Sequence, residues 1–547
     1  MMWEKSDHTS SGDVQDSTVK QSLATCNPPH LDILRAHLSD LGLELDSEGI
    51  VRWERSNKLH PRNWSLSRKL YDISLIVILD FATTAISSAG AATSDVARED
   101  LKIGRVLSLF SFTSIYMIGQ GFGGAIFPPF SESFGRKKLY VISTALYSLF
   151  CLLPGVLPYL PVILIGRFGA GVLSAIPTNV VAGSIEDMFN AGHRIWMIFA
   201  WLMAANLGLS LGPIYGAFVV EYLGWHWHFR ISAIFTGAMS ILLLFTRESR
   251  PSQLLEARVA LLRKATGDDS FRINNPDHAP DLDTLIRLVL LRPIRLLFTE
   301  PIVFVTSIIS AVAFALVYLF TEAIPIVYGS FGFSATQSSL VFLAMCVGIC
   351  LSVLTRFYDQ HIFRKRQKNR QPLQPEDKLT GFAIGAPLLA IGLWWFAWTV
   401  PPIVNHVPWI VSSCSLALIG YACTEFDTTL AGYVADSYTI YAASAFASMA
   451  LARAVLCAVF PLFAHQMFVV LGSNKALTVL ASLATLFCLT PILLLSYGTA
   501  IRKSSKFASY SLDVYRDNQV DAETWEIETV EVEVDGVILS SEPPRTT

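Results

Sequence analysis

The sequence predicts an all-α membrane protein of twelve transmembrane helices in two six-helix bundles. Three observations carry that prediction. Of 547 residues, 52% are hydrophobic and only 16% are charged, against about 25% charged in soluble domains. Mean hydropathy is +0.47. Apolar stretches of the length needed to cross a hydrocarbon core of about 30 Å recur along the chain as six and then six. The shortage of charge excludes a water-soluble globular enzyme. A net charge of −3 gives no basic field to hold nucleic acid. No cleavable leader is expected, because the first apolar run starts near Leu70 behind a polar, charged tail.

The first six spans are predicted near Leu70–Ala91, Val106–Phe127, Leu139–Leu157, Val162–Ser184, Ile195–Val219 and Ile231–Phe245. The second six follow near Ile302–Ala323, Ser338–Leu354, Leu379–Val400, Trp409–Leu430, Ser444–Phe463 and Ala476–Leu495. The chain then divides into a polar tail (1–68), a six-helix bundle (69–246), a charged central loop (247–298), a second bundle (299–498) and a polar tail (499–547). The first 60 or so residues and everything beyond about Ser504 read as flexible. The acidic run Glu523–Glu533 reads as a solvated tail.

Lys and Arg counts beside the spans set the orientation. Arg136, Lys137, Lys138 and Arg194, nine basic residues of the central loop, and seven between Arg356 and Lys378 share one side. Only Arg98, Lys102, Arg105, Arg230 and Lys475 share the other. Both termini are therefore expected in the cytosol, and the Asn63-Trp64-Ser65 sequon is expected to stay unglycosylated. Seven of eight cysteines sit in apolar stretches and read as small packing residues.

Charged residues at membrane depth cost at least about 2.5–3.5 kcal/mol on insertion scales, so each is a functional candidate. Asp80 lies near the middle of the first span. It is either a proton or cation site, or hydrogen-bonded to Thr83, Thr84 or a neighbouring helix. Arg167 cannot carry the proton itself and is expected to pair with an acid. Glu322 lies near the outer end of the seventh span and is either a transport candidate or a headgroup-level charge. Glu425 and Asp427, two apart, must point to different faces; Glu425 is favoured for the cavity and Asp427 is read as interfacial. Arg453, mid-span in the eleventh helix, is a candidate partner for an acid. Gly208, Gly212 and Gly216 recur every four residues and let a partner helix approach closely, while Pro213 bends the same helix. Trp225, Trp227, Trp394, Trp395, Trp398 and Trp409 read as an aromatic belt. Tyr116, Phe314, Tyr318 and Tyr421 lie deeper, as core or as pocket lining. His226 and His228, without further ligands, do not make a metal site.

Several motifs resemble those of the major facilitator superfamily, in the form found in fungal twelve-span drug–proton antiporters. After the second span, Pro129, Ser131, Glu132, Gly135 and Arg136 are similar to P-L-S-E-x-x-G-R, with Pro128 at the first glycine of the general motif. Gly166–Gly171 resembles the arginine-to-glycine motif of the fourth span, with Ala170 in place of the usual glutamine. Gly208-x-x-x-Gly212-Pro213-x-x-Gly216-Ala217 resembles the antiporter signature of the fifth. Asn63-Trp64-Ser65, Ser184–Phe189, Glu300-Pro301, Tyr318, Glu322, Pro325 and Tyr433–Tyr438 match further, so the likeness runs from about Asn63 to Phe507. The resemblance implies the major facilitator fold and a monomeric secondary transporter. It would export small amphipathic organic molecules (drugs, toxins or secondary metabolites) in exchange for protons, in the plasma membrane or else a vacuolar or vesicular one. It also implies a gate at Glu132, Gly135 and Arg136, a fifth helix that seals the half-to-half interface, and Asp436 as a gate or loop cap. A polyamine or other cation exporter of the same fold and a non-transporting receptor are the alternatives. No Gly-x-x-x-x-Gly-Lys-Ser/Thr occurs, so direct ATP drive is not expected; nor is a cofactor or an enzymatic activity.

Overall fold

The structure is a computed structural model that describes residues 38, 42–45, 51–54, 57–266, 273, 291–369, 375–402, 407–438, 441–505 and 507–508. The acidic run 523–533 and Cys26 lie outside the described residues. Eleven helices are long and apolar enough to cross a membrane. In chain order they supply spans 1 to 5 (Leu66–Ser88, Arg105–Pro128, Arg136–Val156, Leu160–Met188, His193–Leu223) and spans 7 to 12 (Pro301–Gly329, Ala335–Arg366, Pro375–Thr399, Trp409–Ser437, Ser444–Leu471, Ser473–Lys503). Span 6 is the helix Trp225–Leu243. It begins six residues before the predicted Ile231, and its first turns carry His226, His228 and Arg230, which makes it more polar than the rest.

Spans 1 to 6 pack as one half, chiefly 1 on 5, 2 on 4 and 3 on 6; spans 7 to 12 form the other, chiefly 7 on 11, 9 on 10, 8 on 10 and 9 on 12. Spans 2 and 11, and spans 5 and 8, join the halves. Both chain ends of the helical body lie on one face, called here the tail face. There Arg68 of span 1 donates to Phe245 O beyond span 6 (2.6 Å), and Ser505 after span 12 donates to Glu300 before span 7 (2.5 Å). Gly135 (φ 89°) links spans 2 and 3 in a single residue. Only glycine adopts that left-handed backbone without strain.

Span 2 contains a π-helical turn, Phe110–Ser114. A π turn widens the ring and releases a carbonyl from the regular ladder. Arg167 Nε donates to Phe112 O at 2.7 Å.

One expectation is corrected at the N-terminus. The strands Leu43–Leu45 and Val51–Trp53 form an antiparallel hairpin. Leu38, Leu43 and Val51 bury against Leu255, Val259 and Leu262 of the helix Pro251–Thr266. Apolar residues spaced every three or four along that helix make the stripe that the hairpin covers. The tail and the central loop therefore build a small ordered cap on the tail face, and residues near 60 are not free. His60 shows this locally: burial, with Arg62 and Lys69 nearby, pushes its imidazole down to about 4, so it stays neutral. Its Nδ1 accepts the Arg62 N–H at 3.2 Å and caps the turn Pro61–Asn63. A second correction concerns cysteine: Cys350 and Cys414 are exposed on the helix surface instead of packed.

Candidate functional site

Asp80 is fully buried in span 1. Its Oδ1 accepts from Thr178 Oγ1 of span 4 at 2.8 Å and its Oδ2 from Trp201 Nε1 of span 5 at 2.7 Å. The hydroxyls of Thr83 and Thr84 turn instead to the Asp80 carbonyl. Among the described residues no cation lies within ion-pair distance of this carboxyl. Asp427 and Arg453 stand within electrostatic reach.

Asp427 corrects the sequence reading. It is 2% exposed, far from an interfacial position. Arg453 of span 11 donates to its Oδ1 at 3.0 Å, and Asn206 of span 5 donates to its Oδ2 at 3.4 Å from the other half. The Arg453 guanidinium also lies 3.9 Å from the centre of the Phe314 ring. Glu425, two residues away, faces elsewhere as a helix requires. Its carboxylate bonds Arg356 of span 8, which also holds Asp359 at 2.7 Å. Of the two acids, Asp427 reaches the seam between the halves; Glu425 is held inside its own half. Asp80, Trp201, Asn206, Asp427 and Arg453 thus form one polar layer that crosses the seam.

Arg167 has no acid partner among the described residues, contrary to expectation. It is 1% exposed, its terminal nitrogens make no protein hydrogen bond, and its guanidinium lies 4.4 Å from the centre of the Tyr116 ring.

Glu322 is buried near the end of span 7. Arg105 of span 2 donates to it at 2.8 Å and reaches Asp95 at 3.4 Å, so this ion pair ties the halves on the face away from the tails. At the middle, Ser87 and Tyr318 share a hydrogen bond (2.6 Å), and Ser114 donates to Ala458 O (2.6 Å). On the tail face the Trp196 and Phe357 rings meet edge to face at 5.3 Å.

Arg136 is 4% exposed and donates to Asp187 of span 4 at 2.5 Å, while Arg250 reaches the same carboxylate at 3.5 Å. Glu248 accepts the backbone N–H of Arg136 (2.9 Å), Lys137 (3.0 Å) and Arg250 (2.9 Å). A carboxylate at the first turn of span 3 satisfies orphan donors and opposes the helix dipole. The Glu132 side chain lies outside the described residues. Asp436 ends span 10 and pairs with Lys378 at 2.6 Å, both partly exposed.

The glycine face of span 5 does not seal the seam. A Cβ on Gly208 would stand 2.4 Å from Phe81 O, one on Gly212 2.4 Å from Ala85 O, and one on Gly216 2.9 Å from Ala89. All three contacts lie along span 1 or its end, in the same half. Glycines that let the halves approach are Gly121 and Gly124 of span 2, whose Cβ atoms would meet Ala454 at 2.6 Å and Ala450 at 3.4 Å.

Trp225 leaves the expected aromatic belt: it is 2% exposed and donates to Asp100 at 2.7 Å. Trp227, Trp395, Trp398 and Trp409 are exposed as a belt requires. Sequence reading missed Thr178, Trp201, Asn206 and Asp427 as one layer. Their one legible signal is polarity at membrane depth, since each is uncharged or was read as lying at a helix end.

Twelve helices in two halves, tied by an ion pair at one face, hydrogen bonds in the middle and a ring contact at the other, define a multi-pass membrane protein of the transporter class. Residues 73–461 match the family described as Major Facilitator Superfamily, and the chain belongs to it. It is 31% identical to the "Major facilitator-type transporter sorT" of Penicillium rubens, over 89% of this chain and 94% of that one. It is 33% identical to the "MFS-type efflux pump MFS2" of Trichophyton rubrum, over 88% and 80% respectively. Among solved structures, the proton:xylose symporter XylE shares the fold with a TM-score of 0.55 at 14% identity, covering 79% of this chain and 96% of its own.

Proposed function

We propose that the protein exports small amphipathic organic molecules in exchange for protons, with Asp80 as the proton carrier and the tail face in the cytosol. One observation carries the coupling: Asp80 is a fully buried carboxyl with two hydrogen-bond donors and, among the described residues, no cation within ion-pair distance. An isolated carboxylate in that medium is costly, so a proton is its natural counter-charge. Asp427 is already balanced by Arg453, and Glu425 by Arg356. The Asn206–Asp427 bond spans the seam, so a change of charge beside Asp80 is felt where the halves must part. Arg105–Glu322 serves as the polar contact between the halves that must break as access alternates, while Arg136–Asp187 stays within the first half. Efflux is favoured by the printed name of the MFS2 relative. The cation-exporter reading weakens here, because Asp427, Glu425 and Glu322 are each already paired with an arginine.

The deciding experiment measures accumulation of a panel of amphipathic toxins and polyamines in cells with and without the protein, at two external pH values. Lower toxin accumulation that deepens at acidic external pH supports antiport. Polyamine exclusion alone selects the cation reading, and no difference for any compound selects a receptor. Tags at both termini are expected to resist protease in intact cells; a surface-accessible terminus overturns the orientation.

A further inference from the structure

The cap on the tail face encloses a cavity of about 520 Å³ beside the ends of spans 3 and 6. Its wall includes Trp53 and Trp64 from the N-terminal segment, Lys137 at the start of span 3, and Arg247, Glu248 and Arg258 from the chain after span 6. Three cations thus face one carboxylate, and that carboxylate is spent. Both Glu248 oxygens accept backbone N–H groups, from Arg136 and Arg250 on Oε1 and from Lys137 on Oε2. Among the described residues no ion pair or side-chain hydrogen bond engages Lys137, Arg247 or Arg258. The indole donors are also used: Trp53 Nε1 bonds Pro251 O at 3.3 Å and Trp64 Nε1 bonds Leu59 O at 3.2 Å. The tryptophans therefore offer apolar ring surface, while the exposed Arg247 and half-buried Lys137 and Arg258 keep their side-chain donors available to a ligand.

Position decides what could meet that demand. The cavity adjoins the membrane-facing ends of spans 1 and 6, where Leu66, Leu244 and Phe245 are 61%, 54% and 66% exposed. Arg68 clamps those two ends together through Phe245 O. This open cavity, with three basic residues and largely apolar walls, lies at the tail-face ends of the spans, bordered by exposed leucine and phenylalanine. Volumes of roughly 300–1,000 Å³ hold a small organic group, more than a single phosphate. Basic pockets at the cytoplasmic ends of membrane helices suit polyanionic lipid headgroups, and the cytoplasmic leaflet supplies them.

We propose that this cavity binds the headgroup of a polyanionic phospholipid of the phosphoinositide class. Lys137, Arg247 and Arg258 contact its phosphates, and its acyl chains lie along spans 1 and 6. The bound lipid joins the N-terminal hairpin, the helix Pro251–Thr266 and the start of span 3 at the turn that holds Arg136. The lipid source rests on the cytosolic orientation proposed above, but binding in detergent does not, so the two readings fail separately.

The test uses the purified full-length protein in detergent. It is titrated with phosphatidylinositol bisphosphate, phosphatidylcholine, soluble inositol trisphosphate and inorganic phosphate, and bound ligand is counted by native mass spectrometry. Phosphatidylinositol bisphosphate is expected to bind and phosphatidylcholine not. The Arg247→Gln/Arg258→Gln variant should bind at least about tenfold more weakly. Lys138→Gln, an exposed charge next to the site but outside it, should bind as the wild type does. Each single arginine variant and a thermal melt separate lost binding from lost folding. Equal binding by the double variant in its folded form overturns the site. Equal affinity for soluble inositol trisphosphate overturns the lipid assignment in favour of a soluble anion. Equal loss in Lys138→Gln reduces the effect to general surface charge.

Discussion

The Arg453 guanidinium stands 3.0 Å from the Asp427 carboxylate, and Asp427 takes its second hydrogen bond from Asn206 of the opposite half. Within the same polar layer Asp80 has donors but no cation. The layer therefore holds its two acids in different ways, Asp427 by an ion pair with Arg453 and Asp80 by two neutral hydrogen-bond donors.

Asp80→Asn tests the exchangeable site. Asparagine keeps the shape: its Oδ1 accepts the Trp201 N–H, and its Nδ2 donates to the Thr178 hydroxyl, which itself donates to Ser174 O at 3.0 Å. Membrane abundance should stay within about 1 kcal/mol of wild-type stability, while export driven by a pH gradient is lost. Transport measured with and without the gradient decides: an unchanged response makes Asp80 structural.

Removing one member of the fixed pair should behave differently. Arg453→Met leaves the Asp427 charge buried and unpaired, at a cost of about 3–5 kcal/mol, and Asp427→Asn does the same to Arg453. The double variant should recover most of the lost abundance. Thermal stability of the purified single and double variants gives the coupling directly; additive losses would mean the two groups do not act as a pair.

Arg136→Ala removes the buried bond to Asp187, leaving Arg250 at 3.5 Å as the remaining cation. A hydrogen bond between charged groups is worth about 1.5–3 kcal/mol, so turnover should fall about tenfold or more. Abundance should fall less, because Glu248 caps span 3 through backbone N–H groups that the substitution keeps. Initial export rate per molecule in the membrane is the measurement, and a normal rate reduces the loop to a topology signal.

Gly212→Val and Gly121→Val separate packing from gating. The first drives a side chain into Ala85 O within one half, so the expected result is low abundance with no proton leak. The second meets Ala454 across the seam, so the expected result is a protein that reaches the membrane but cycles poorly or leaks. Abundance and leak measured side by side check both, and a leaky Gly212→Val would return that glycine to a gating role.

The twelve spans were legible because hydropathy is a local, summed property and a bilayer demands a fixed length of it. Span 6 was read late by six residues because His226, His228 and Arg230 interrupt its apolarity, yet the helix runs through them. Asp80 and Arg453 stood out by charge at depth. Their surroundings did not, because a partner on another helix leaves no mark in the spacing of either one. Asp427 was misread for that reason: beside Glu425 it looked like a helix-end acid, and only the approach of spans 5 and 11 makes it the acid at the seam. Spacing every four residues correctly gave Gly208, Gly212 and Gly216 one smooth face, but which helix fills that face depends on how the spans are arranged around one another. The cap of hairpin and helix was invisible for a related reason. A two-stranded hairpin and a short helix are marginal alone, and the apolar residues of each are buried here against the other. Sequence by itself determined which stretches are long and apolar enough to cross the membrane and placed Asp80 and Arg167 within them. Tertiary structure alone decided which charges are paired, because pairing is set by the contact of helices far apart in the chain.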